Sequence, residues 1–165
     1  MMEVYVVNAF CHQDKGGNAA GVVLSHQDLK REDKIKIAKE LGFSETVFVS
    51  ESELADYKLE YFTPASEVDL CGHATIATFA LMHEKGLKEG VYTIEIKAGV
   101  LEIGIDRQGK VFMQQRCPEF FEEYPFEEFK DCLPIEYYNS NFPIQAVSTG
   151  LKDILFPVDS VEHLR

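Results

Sequence analysis

Cys71 and His73 stand two residues apart, with Gly72 between them, where a polar loop meets the uncharged run 74–82 (ATIATFALM). That run predicts a helix that is apolar all round, which belongs inside a domain. Gly86 stops it, and Lys85 in the last turn suits the helix dipole. Free N–H groups at a helix start attract anions, and a glycine lets a ligand approach the backbone closely. Gly72, Cys71 and Ala74 are therefore candidate binding positions for a small anionic substrate. His73 either satisfies a backbone group or contacts that ligand. Cys71 is either a small buried hydrophobe or a base, since a helix start lowers the pKa of a thiol. A lone C-x-H pair lacks the further ligands of a zinc site, so no metal is expected. Glu45, between Ser44 and Thr46 at the head of an apolar strand, is either an edge carboxylate in solvent or a general acid/base on a rigid element. Asn18 and Ser44 complete the candidate binding set. The loop 16–21 (GGNAAG) lacks both the Lys-Ser/Thr ending of a P-loop and the GxGxxG spacing, so nucleotide binding is excluded and a tight turn remains.

The elements that must position these groups can be read in order. Residues 3–10, 21–24, 43–50 and 57–63 are rich in β-branched and aromatic residues and predict strands. Residues 28–41 predict an amphipathic helix with Ile35, Ala38 and Leu41 on one face, lysines over the rest and Gly42 at its end. Stretches 92–97, 101–106 and 111–116, separated by Ala98-Gly99 and by 107–109, predict an antiparallel meander. One long core helix among many short strands predicts an α+β fold, a mostly antiparallel sheet rolled around a central buried helix. The first domain is expected over residues 1–117. Residues 118–143 read as an acidic, aromatic, proline-punctuated linker with a helical turn near 126–132. Strands at 144–148 and 154–158 and a helix cap at 159–162 then read as the opening of a truncated second domain.

Composition narrows the function classes. The formal charge of −12 argues against nucleic-acid phosphates and anionic membranes as partners. Cys11, Cys71, Cys117 and Cys132 form no CxxC pair, which predicts free thiols in a reducing cytoplasm. The start has no basic n-region, and no stretch reaches the apolar length of a membrane helix.

Several spaced segments together resemble the PhzF-like (phenazine biosynthesis) family. They are NAF at 8–10, GNAAGVVL at 17–24, FSETVFV at 43–49, FTPASEVDLCGHATIA at 62–77 and QAVSTGLKDILFPV at 145–158. The resemblance implies the diaminopimelate-epimerase-type fold, in which two similar domains each roll a sheet around a central helix with the active site between them. It implies cofactor-free isomerisation by proton transfer on a small carboxylate-bearing substrate, with Glu45 as the acid/base and Gly72 and His73 contacting the substrate. Asn8 stands where an aspartate is usual and Ala19 where a proline is usual. The family's second-domain motif, EDPxTGSA-like, is not among these residues, so the chain is expected to hold half of a two-sided site. Two other readings stay open. One is a non-catalytic truncated or split domain that forms a homodimer or pairs with a chain carrying the second domain, covering otherwise exposed strand edges. The other is a racemase that uses Cys71 as its base.

Overall fold

The structure, a computed structural model, describes residues 2–13, 15–25, 29–132 and 134–164. The chain divides into two compact units, one ending at Gln114 and the other beginning at Gln115.

In the first unit the strands are β1 (Met2–Ala9), β2 (Asn18–Ser25), β3 (Glu45–Ser50), β4 (Tyr57–Phe62), β5 (Glu67–Val68), β6 (Gly90–Ile96), β7 (Gly99–Ile105) and β8 (Val111–Met113). They form one sheet in the order β1-β2-β3-β4-β6-β7-β8, with β5 paired to β4. Only β2/β3 and β4/β6 run parallel among the described pairings. Helix α1 (Arg31–Leu41) and helix α2 (Gly72–Glu84) take opposite faces. α2 touches both edge strands, β1 and β8, as well as β2 and β3. A sheet that brings both edges to one helix is rolled around it, so the expected α+β architecture is the one observed.

The sequence explains the roll. Ala74, Ala77 and Phe79 of α2 are buried against Val22, Val47, Leu59, Tyr61, Ile94 and Ile103 from five strands. Small residues on α2 let the strands approach, while Phe79 packs edge-on to Tyr57 at 5.8 Å. α1 covers the outer face through Ala38, Ile35 and Ile37, packed on Val23, Phe48 and Phe62. Its lysines do not all face water: Lys34 is buried and ion-paired to Glu60 on β4. The start of the expected helix, at Asp28, lies outside the described residues.

β2 is longer than expected, because Asn18 and Ala19 pair with Ala9 and Asn8 of β1. Gly16 and Gly17 make the turn between the two strands at φ of +67° and +83°. A Cβ on Gly17 would lie 2.5 Å from the Ala9 carbonyl and 2.7 Å from Cys11 Sγ. Only glycine closes that turn, and the turn delivers Asn18 to the start of β2.

In the second unit, β9 (Glu119–Tyr124), β10 (Ile144–Ser148) and β11 (Lys152–Leu155) form an antiparallel sheet with β10 in the centre. The stretch expected as linker therefore contains a strand, and short 3-10 turns at Phe126–Glu128 and Ile135–Tyr137 follow it. Phe126, Phe129, Tyr138 and Phe156 cluster together, and Ile144 and Ala146 are buried. β11 begins two residues earlier than expected and stops before Pro157, which has no N–H for a ladder. All four cysteines are free thiols. No helix among the described residues is long and apolar enough to cross a membrane.

Candidate active site

Glu45 opens β3, which is held by β2 on one side and β4 on the other. His73 is the second residue of α2, and Cys71, with extended backbone (φ −144°, ψ 107°), is its N-cap. The roll of the sheet brings these two chain segments together. Glu45 Oε2 lies 3.5 Å from His73 Nε2, with the two side chains 23% and 11% exposed. On the other side of the imidazole, Cys71 Sγ and Asn18 Nδ2 each lie 3.3 Å from His73 Nδ1. Nε2 is buried and makes no hydrogen bond, since the carboxylate sits at the outer limit of that range.

Beneath the helix start runs a polar chain that sequence reasoning missed. Thr75 Oγ1 donates to the Cys71 carbonyl at 2.7 Å, and the Tyr61 hydroxyl lies 2.6 Å from Thr75 Oγ1. Because the threonine's single proton is committed to the carbonyl, Tyr61 is the donor to Thr75. Both side chains are fully buried, so this pair pins the first turn of α2 to β4. A tyrosine in a buried strand and a threonine in an otherwise apolar helix were the available signals.

The helix start is electrostatically open. No side chain caps α2, and no acidic residue lies in its first turn, whereas α1 carries Glu32 and Asp33 there. The partial positive charge of about half a unit at this end is thus left for something else to answer. At Gly72 a Cβ would meet nothing within 4 Å, so the missing side chain leaves free space over the backbone.

Among the expected binding residues, Cys71 and Asn18 join the cluster and Gly72 borders it. Ala74 does not present its side chain, which is fully buried in the core. Ser44 is exposed beside Glu45. Of the two readings of Cys71, the fold favours the small buried hydrophobe over the lowered thiol. Burial, and behind it the Glu45 carboxylate, push the Cys71 thiol up to about 11, against the opposing pull of the Ala74 and His73 N–H groups. Glu45, Cys71 and His73 each place a donor atom within 4.8 Å of the others, so Cys71 and His73 are not the lone pair that the sequence suggested. The imidazole turns opposite nitrogens to the thiol and the carboxylate, an arrangement for bridging them rather than for converging on one ion.

Residues 7–165 match the family described as phenazine biosynthesis-like protein. An uncharacterized isomerase of Bacillus subtilis (strain 168), YfhB, is 38% identical over 171 residues, spanning 97% of this chain and 57% of its own length. The crystal structure of a PhzF-family phenazine biosynthesis protein from Bacillus anthracis superimposes with a TM-score of 0.84 at 36% identity, covering 98% of this chain and 57% of that one. A protein described as a predicted epimerase from Pseudomonas aeruginosa shares the fold, with a TM-score of 0.79 at 22% identity over 98% of this chain and 60% of its own. The chain belongs to the phenazine biosynthesis-like family. It spans little more than half the length of the relatives it matches.

Proposed function

We propose that this chain supplies the acid–base side of an isomerase that moves a proton on a small carboxylate-bearing substrate, with no cofactor. The observation that carries the reading is the Glu45–His73 pair, 3.5 Å apart at an uncapped helix start. In this reading the substrate carboxylate, or the oxyanion that develops from it, lies over Gly72 and faces the N–H groups of α2. The Glu45 carboxylate takes the proton from an adjacent carbon. The C–H bond breaks, an O–H bond forms on Glu45, and the electron pair delocalises toward the carboxylate. Glu45 then returns the proton to a different carbon on the same side, and His73 hydrogen-bonds the charge that appears in between.

Support also comes from the relatives, several of which are named isomerases. The raised Cys71 thiol weighs against a cysteine base. The test is carbon-bound hydrogen exchange. The full-length protein is incubated in D2O with a panel of small carboxylic acids, and each acid is weighed for deuterium uptake. Glu45→Gln is expected to abolish uptake by the responsive acid; uptake at the wild-type rate would remove Glu45 from the mechanism.

A further inference from the structure

We infer that Asn18 and Cys71 fix His73 as the neutral Nε2–H tautomer, which makes the imidazole a hydrogen-bond donor toward Glu45 and whatever lies beside it. This inference deepens the proposed reaction and rests on it for its purpose, though not for its geometry.

The donors and acceptors around Nδ1 decide the tautomer. Asn18 Nδ2 belongs to an amide NH2, which can only donate. It lies 3.3 Å from Nδ1. Cys71 Sγ lies at the same distance from the same nitrogen. Its thiol keeps its proton at neutral pH, because burial raises it well above the ordinary range, so it can donate to the nitrogen that the amide already requires to accept. Two donors aimed at Nδ1 require that nitrogen to offer its lone pair, which leaves the proton of a neutral imidazole on Nε2. Nε2 is the buried atom with no hydrogen bond, 3.5 Å from the Glu45 carboxylate. The N–H is thus held without a hydrogen bond, facing the Glu45 carboxylate.

The placement of the two donors is built into the fold. Asn18 is set by the Gly16-Gly17 turn and its pairing with Ala9, and Cys71 by the Thr75–Tyr61 chain under its carbonyl. Both are positioning residues: they act through His73 and not on the substrate.

The tautomer is read directly by long-range proton–nitrogen correlation on the full-length protein labelled with 15N-histidine, the His73 signals being assigned by their loss in His73→Gln. At pH 7.5 the wild type is expected to show a protonated Nε2 and a bare Nδ1. Cys71→Ser keeps a donor and should keep that pattern. Asn18→Asp replaces the donor with a carboxylate acceptor, and the exposed position tolerates the change. It should convert His73 to the imidazolium, held between two carboxylates, and slow solvent exchange by about 100-fold or more. A wild-type His73 protonated on Nδ1, or an Asn18→Asp spectrum identical to wild type, overturns the inference. The two readings fail separately. An Nε2–H wild type whose Glu45→Gln variant still exchanges keeps the tautomer and sinks the reaction; the opposite pair of results does the reverse.

Discussion

Burial separates the two acid–base candidates at the α2 start. Cys71 and Glu45 sit on either side of one imidazole, yet Cys71 is buried and the Glu45 side chain is 23% exposed. Removing the thiol from water penalises its anion more than the helix end favours it, so it stays neutral where a base would have to be ionised. Its reactivity should show this. With its thiol buried and pushed up from 9.0 to about 11, Cys71 at pH 8 is expected to alkylate about 100-fold slower than an unshifted thiol would, and more slowly than the exposed Cys11, Cys117 and Cys132. The thiolate fraction grows as pH rises, so the Cys71 rate should climb about tenfold per unit without levelling until about 11. Peptide mapping after timed iodoacetamide treatment measures it. Labelling as fast as the exposed cysteines would restore the cysteine-base reading.

At the scale of elements, α2 is at once the core of the first unit and the wall of the site. Its composition was legible because an uncharged helix has few places to go but inside, and the β-branched runs could only wrap it. The polar start was legible for the same reason, since Gly72 and His73 interrupt that apolar pattern. What the sequence hid was contact between distant segments. Asn18 was a binding candidate with no visible partner, and its approach to His73 depends on β2 starting three residues before the expected strand. Lys34 looked like solvent-facing charge because periodicity does not show a glutamate waiting on β4. A strand inside the expected linker was masked by its acidic residues, which an exposed strand tolerates. Gly72 separates a structural from a functional cause. A methyl there meets no atom within 4 Å, and alanine is the better helix former by up to about 1 kcal/mol. Gly72→Ala should therefore melt no lower than wild type in calorimetry while binding the responsive carboxylate at least about tenfold more weakly. Unchanged binding would place the ligand elsewhere.

For the molecule as a whole, a net charge of −12 leaves room for the proposed anion site because the relevant field is local. Surface carboxylates beyond a Debye length of about 8 Å are screened, whereas the N–H groups at the helix start act in contact. The two units also differ in how they are held. The first is wrapped around α2, with Leu59, Tyr61, Phe79 and Ile94 fully buried; the second exposes every residue of β11 and nearly all of β9. Amide hydrogen exchange should accordingly resolve two opening units, with β3, β4 and α2 the slowest and β9–β11 faster by about 100-fold or more. Equal protection in both would mean one cooperative unit. The claim on which the functional account turns is that Glu45 moves the proton and does little else. Glu45→Gln keeps the shape and removes the basic oxygen. The decisive measurement is its carbon-exchange rate and its affinity for the same acid, determined side by side. The account expects the rate to fall by about 100-fold or more with affinity held within about threefold. An exchange rate that survives the substitution would contradict it.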